Sequence, residues 1–409
     1  MGRPLLVYVH VPFCTAKCLF CDWVTEISPA DLRLGSESTP RRRYLGALAT
    51  HIAVRGEALV ADGYEPRILY WGGGTASILA EAEIERVMAA LTGTFDLSRL
   101  DEATIECSPE TLSPTKLALL RSLGFDRISI GVQSFDDHRL HAIGRQHDAE
   151  SAVRAVEDAW RAGFSNINID LISGFPGETV QELEASLRRA LALPISHVSL
   201  YPYRPALGTG MRATMRDGRA GTIQLSEQLA AYRLGQSLLE EAGLAEYALA
   251  HFGSRRCFSD LAYFQLRMDW AGFGSGAASL LDRTFSRTRN GGLHDYLDRP
   301  TEPDDVLPAS DPGLLNRWLY QALSTFEGAD ARLWLERTGT SLAETLARPE
   351  SGQLLAQLGA SASDALERDE RGIRLRRDAI APAFIRMLFA SAPSTAREAD
   401  LAEAVLGGY

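Results

Sequence analysis

Tyr8-Val-His-Val-Pro-Phe-Cys14-Thr-Ala-Lys-Cys18-Leu-Phe-Cys21 lies near the start of the chain, and its three cysteines are spaced C-x3-C-x2-C. An apolar, strand-like run from Leu5 to Val11 leads directly into them. Three thiolates on one tight loop can hold three irons of a [4Fe–4S] cluster, and full ligation normally takes four cysteines. A set of three, Cys14, Cys18 and Cys21, therefore leaves one iron open to a small molecule. Zinc is the rival for such a loop. Zinc ribbons, however, pair two C-x2-C knuckles, whereas Cys107 and Cys257 are single and far away.

Outward from this loop, strand-like and helix-like stretches alternate. The strand-like runs are Leu5–Val11, Arg67–Trp71, Ala103–Cys107, Arg127–Gly131, Asn166–Ile172 and His197–Tyr203. Helix-period segments separate them at Tyr44–Leu59, Ala82–Leu91, Pro114–Leu123, Ser151–Ala162 and Thr179–Leu191. Alternation of this kind predicts an α/β fold with a parallel sheet and crossover helices, and six units make a partial (β/α)6 barrel. Chemistry in such barrels sits at the C-terminal ends of the strands, where the polar motifs below all fall.

Thr39-Pro40 reads as a helix start, and Arg41-Arg42-Arg43 as a solvated helix face. From Ala245 to about Ser286 the pattern is less regular. Asp298–Gly313, rich in proline and acid, reads as a linker. Beyond it, Leu314–Leu323 and Asp330–Thr338 are helix-like, Glu367–Arg377 reads as a hairpin, and Ala381–Phe389 as a helix. The expected organisation is a barrel with its adjoining segment over 1–297, a linker over 298–313, and a small α+β accessory domain of winged-helix type over 314–409.

The 409 residues support a large core, and the net charge of -11 repels polyanions, which excludes nonspecific nucleic-acid and anionic-membrane partners. No apolar run is long enough to span a bilayer, and no signal peptide is expected before the first strand. Five cysteines, three in one loop, suit a reducing cytoplasm better than a disulfide framework.

Several polar positions at strand ends carry candidate chemistry. Gly72-Gly73-Gly74-Thr75 follows the second strand, where glycines let a ligand approach the backbone. Glu106 ends the third strand and can hold an ammonium through charge-assisted hydrogen bonds. Gln133 closes the fourth strand within Gly131-Val-Gln133-Ser-Phe-Asp; Arg145 follows within Ile143-Gly-Arg145-Gln-His and can grip a carboxylate. Asp170 ends the fifth strand and suits ribose hydroxyls. Tyr201 and Tyr203 end the sixth and could relay a proton. His10 shares a strand face with Tyr8 and reads either as a neighbour of the cluster or as a core histidine; Cys107 reads as a core residue, His147 as a surface residue, and Cys257 as a loop thiol.

The cysteine spacing and its flanks, Tyr-x-His-x-Pro-Phe before and Phe-Cys-Asp after, resemble the radical S-adenosylmethionine (SAM) superfamily. Within it they resemble the HemN-like branch, which holds oxygen-independent coproporphyrinogen dehydrogenase, heme chaperones and class C radical SAM methyltransferases. The resemblance implies a [4Fe–4S] cluster on the three cysteines and two SAM molecules. Carried over, Tyr8, Gly73 and Glu106 contact the SAM on the cluster. Phe20, Gly74, Thr75, Gln133, Arg145 and Asp170 line the second site or the ground between. The dehydrogenase differs in an N-terminal extension and in a further cysteine where this chain has Asp22-Trp23. The chaperone differs in a His-Asn pair where this chain reads Cys257-Phe-Ser-Asp. Cys21-Asp-Trp-Val-Thr-Glu-Ile, continuing to Asp31-Leu-Arg-Leu, looks most like the class C methyltransferases. That likeness implies a 5′-deoxyadenosyl radical from one SAM and a methylene radical from the other. The methylene radical then methylates an sp2 carbon, such as one in a thiazole or indole, or closes a cyclopropane. The implied partners are a small-molecule or modified-peptide substrate and an electron donor such as flavodoxin or ferredoxin.

Overall fold

Six strands form where the chain is apolar on both faces: β1 (Arg3–Val11), β2 (Tyr64–Gly73), β3 (Glu102–Cys107), β4 (Arg127–Gln133), β5 (Asn166–Ser173) and β6 (His197–Pro202). They pair in sequence order and in parallel, so both faces must be covered, and their side chains are almost continuously buried. The computed structural model describes residues 2–22, 26–27, 40–206, 208–218, 220–221, 224–288, 293–359 and 365–390. The stretch after Asp22 that carries the methyltransferase likeness lies mostly outside these residues, as do Thr39 and the chain beyond 390.

The crossover helices start where local chemistry satisfies their first N–H groups. Thr179 and Glu182 form a capping box at Val180–Leu191: Glu182 N donates to Thr179 Oγ1 at 3.2 Å, and Thr179 N donates to Glu182 Oε2 at 2.7 Å. Asp148 caps Ala149–Arg161 by accepting from Ser151 N at 2.7 Å. The helix at Pro40–Ala61 departs from expectation at one point. Arg41 is buried and donates to Glu83 at 3.1 Å, while Arg42 and Arg43 are exposed.

The irregular segment is more ordered than its sequence suggests. Helix Leu225–Glu241, absent from the sequence reading, lies against Val180–Leu191. Strands β7 (Ala245–Ala248) and β8 (His251–Gly253) then extend the sheet antiparallel beyond β6. A seventh parallel strand, β9 (Asp269–Phe273), is buried along its whole length on the free edge of β1. Antiparallel β10 (Ala278–Leu281), β11 (Thr284–Arg287) and β12 (Asp305–Pro308) finish a 12-stranded sheet. The stretch read as a linker thus contributes an edge strand. Its proline sits there because an edge leaves one row of N–H groups unpaired anyway.

After residue 311, helices Pro312–Leu323, Ala331–Thr338, Leu342–Leu346, Pro349–Gln357 and Arg377–Ala390 surround a small sheet. Its order is β13 (Ala329–Asp330), β15 (Gly372–Leu375), β14 (Leu366–Asp369), with the expected hairpin as its second half. Helix, strand, helices and hairpin follow one another as in a winged helix. Its core is continuous with that of the barrel: Trp318 meets Trp270 edge to face at 6.3 Å, and Arg337 donates to Asp269 at 2.8 Å.

Candidate active site at the mouth of the barrel

The three cysteines of the loop, Tyr8, Phe20, Gly73, Gly74, Thr75, Glu106, Gln133, Arg145, Asp170, Tyr201 and Tyr203 line one cavity of about 370 Å³ at the C-terminal ends of the strands; Gly72 stands just outside it. The cysteine loop forms one side. None of the five cysteines is in a disulfide; Cys14, Cys18 and Cys21 are partly exposed, whereas Cys107 and Cys257 are buried. Among the described residues, no three His, Cys, Asp or Glu side chains converge as ligands of one metal ion. A cubane takes one thiolate per iron, so its ligands are spread round a loop rather than gathered on a point as tetrahedral zinc requires. Three thiols at the wall of one cavity fit the cluster.

The glycines act by making room. A Cβ on Gly74 would stand 2.6 Å from Phe13 O and 2.9 Å from Cys14 Sγ. One on Gly72 would stand 2.8 Å from Glu106 Oε2, so the bare backbone is what admits the carboxylate. Gly73 has φ +119° and donates its N–H to Glu106 Oε2 at 3.2 Å. Thr75 Oγ1 lies 3.7 Å from Cys14 Sγ.

Glu106 also accepts from Tyr70 Oη at 2.6 Å. Burial pushes its carboxyl up to about 7, the nearby Asp170 charge adds to this, and the Tyr70 and Gly73 hydrogen bonds oppose it. A cation in the cavity would restore the ionised form. Tyr8 stacks on Tyr70 at 6.1 Å, and its Oη lies 3.0 Å from His10 Nδ1. Burial holds the Tyr8 phenol protonated and lowers His10 to about 4.

Gln133 sits in the left-handed region at φ 70°, where the β4–β5 register slips between Gly131 and Gln133. This bulge re-aims the strand end. Asp170 accepts from Asn168 Nδ2 at 2.8 Å and Ser129 Oγ at 3.2 Å, and burial raises its carboxyl. Phe20, Phe175 and Tyr203 form an aromatic ladder, with ring spacings of 6.0 and 5.3 Å. Tyr203 Oη is buried with no hydrogen-bond partner among the described residues. Tyr201 stands edge-on to His251 at 5.9 Å.

Arg145 makes contacts the sequence did not suggest. Its guanidinium donates to Cys18 Sγ at 3.4 Å, Ser108 Oγ at 2.7 Å and Gly131 O at 2.6 Å. Sequence reasoning missed Ser108 and Glu110, which line the same cavity, and the Arg204–Asp22 ion pair at its wall. The run Ser108-Pro-Glu110 after the third strand was the available signal. His147, expected at the surface, is buried, with Nε2 3.1 Å from Val132 O and Nδ1 3.4 Å from Glu110. Cys257, expected in a loop, precedes helix Phe258–Phe264 and is buried with its Sγ 3.6 Å from Glu102.

A three-thiol loop, a glycine-lined backbone and a buried carboxylate at the mouth of an open parallel barrel define the radical SAM class. The superfamily profile matches residues 8–190. Among curated relatives, heme chaperone HemW of Bacillus subtilis is 29% identical over 345 residues, covering 82% of this chain and 87% of that protein. HemW of Lactococcus lactis is 30% identical, covering 74% and 76%, and that of Mycobacterium tuberculosis (strain H37Rv) 32%, covering 68% and 69%. Among solved structures, coproporphyrinogen III oxidase (HemN) of Escherichia coli shares the fold with a TM-score of 0.74, covering 95% of this chain and 90% of that one at 24% identity. The chain belongs to the radical SAM superfamily, with HemW proteins among its relatives, and shares its fold with HemN. The methyltransferase likeness of its early sequence gains no support from these relatives.

Proposed function

We propose that this chain is a HemN/HemW-like radical SAM enzyme that cleaves SAM and abstracts hydrogen from an organic substrate in the barrel-mouth cavity. One observation carries the reading: the three thiols, the glycine loop, Glu106 and Asp170 face a single cavity. When bound, a [4Fe–4S] cluster and SAM together supply one-electron cleavage of the sulfonium to methionine and a 5′-deoxyadenosyl radical. The chain's own residues bind and orient. Glu106, with Gly73, receives an ammonium; Asp170 accepts from hydroxyls. Phe20, Tyr201 and Tyr203 form the wall on which a substrate is positioned and from which water is excluded.

The test is anaerobic reconstitution with iron and sulfide, reduction by dithionite or by a flavodoxin or ferredoxin system, and product analysis. The expected result is about four irons per chain and 5′-deoxyadenosine from SAM, both lost when Cys14, Cys18 and Cys21 become alanine. A loaded protein that forms no 5′-deoxyadenosine overturns the reading.

Heme handling is the second reading, and the names of the HemW relatives favour it. Its mark is one tightly held heme per chain that survives gel filtration. Methyl transfer from a second SAM is the finer expectation of the early sequence. It requires S-adenosylhomocysteine to accumulate with substrate turnover in the same assay.

A further inference from the structure

Behind the cysteine loop, a short charged chain reaches one thiol. Glu110 accepts from Ser108 Oγ at 2.5 Å and from Thr15 Oγ1 at 3.2 Å. Ser108 Oγ accepts from Arg145 Nη2 at 2.7 Å, and Arg145 Nη1 donates to Cys18 Sγ at 3.4 Å. Gly131 O fixes the guanidinium from the other side at 2.6 Å. Arg145 is thus oriented by β4 and by the turn after β3, with its guanidinium at the cavity wall and in contact with a cluster thiol. Burial would raise the Glu110 carboxyl, but the contact with His147, the Arg145 charge and the Ser108 hydrogen bond outweigh it and hold the carboxyl ionised, at about 2. A cation and an anion, bridged by one serine, therefore stand beside the cysteine loop.

Hydrogen bonds to cluster sulfurs and local net charge are among the factors that set the reduction potential of an iron–sulfur centre. Reduction adds one negative charge. A guanidinium donating to a thiolate stabilises the reduced state more than the oxidised one, and a carboxylate nearby does the reverse. We propose that Arg145 and Glu110 are a paired positioning device that sets the reduction potential through Cys18, Arg145 raising it and Glu110 holding it down. The inference rests on the cluster reading of the preceding subsection.

The experiment is a potentiometric titration of the reconstituted full chain without SAM, followed by the electron paramagnetic resonance signal of the reduced cluster. Arg145→Gln is expected to shift the midpoint to more negative values. The shift should be about tenfold in the electron-transfer equilibrium, which is about 59 mV for one electron. Arg145→Lys, which keeps the charge, is expected to recover part of it, and Glu110→Gln to shift it the other way. Opposite signs separate the device from a merely structural role, since loosening the loop would move both variants in one direction. Wild-type midpoints in Arg145→Gln and Glu110→Gln overturn the proposal, as do shifts of the same sign. If Arg145→Gln assembles no cluster, Glu110→Gln decides alone: a more positive midpoint supports the proposal and any other result overturns it. Failure of the cluster reading itself is seen separately, as wild-type protein that retains no iron after reconstitution.

Discussion

Glu106 and Gly74 show how single residues turn a strand end into a site. Glu106 is buried with a carboxyl near 7, far above its ordinary range near 4.3, so the folded protein holds a proton that the unfolded chain releases. Stability of the ligand-free protein therefore falls as pH rises from that ordinary range through 7. Binding of a cation runs the other way, because only the ionised carboxylate attracts it. SAM affinity of the cluster-loaded protein, measured by anaerobic equilibrium dialysis, should strengthen about tenfold between pH 6 and 8. In Glu106→Gln the profile should be weak and flat; a wild-type slope there would remove Glu106 from the binding role. Gly74→Ala places a Cβ against Phe13 O and Cys14 Sγ. It should abolish most iron retention while leaving far-UV circular dichroism unchanged.

At the scale of elements, the segment Cys257–Phe264 is set by a long-range cap. Phe258 N and Ser259 N donate to Glu102 on β3 at 3.0 and 3.2 Å, so a strand carboxylate holds the start of helix Phe258–Phe264. Truncating a buried, hydrogen-bonded carboxylate leaves these donors unmatched and removes one of the negative charges that face the buried Arg127. Glu102→Ala should cost about 3 kcal/mol by denaturant unfolding; a loss below 1 kcal/mol would mean that the helix holds itself. The same packing pushes the Cys257 thiol well up through burial. In native protein Cys257 should resist iodoacetamide at pH 8, as read by mass spectrometry, and Cys257→Ala should keep full iron content. Rapid native labelling would contradict the buried geometry.

Across the whole molecule, the accessory part and the barrel share one continuous hydrophobic core. Trp318 is buried between helix Pro312–Leu323 and β9, and Tyr320 of that helix lines the cavity. Arg337 joins Asp269, which also accepts from Tyr64 Oη at 2.6 Å. Trp318→Ala should cost about 4 kcal/mol and lower a single cooperative thermal transition rather than melt one half first. Two resolved transitions in wild-type protein would show that the halves unfold independently.

The sequence by itself determined the six parallel strands and the cysteine loop. Both depend on local rules: runs apolar on both faces, and thiols at short spacing. It also placed Glu106, Gln133 and Asp170 at strand ends and Arg145 in the stretch after the fourth strand, all of which the alternation of elements brings to one rim. It did not reveal β9 or β12, because a five-residue strand and an edge strand among prolines have weak local signals and are decided by a free sheet edge elsewhere. Arg41 and His147 looked exposed, and Cys257 looked like part of a loop, because their packing depends on partners elsewhere in the chain, such as Glu83, Val132 and Glu102. The contact of Arg145 with Cys18 is the sharpest case. The residues lie on separate loops, and only the closing of the barrel brings a guanidinium to that sulfur.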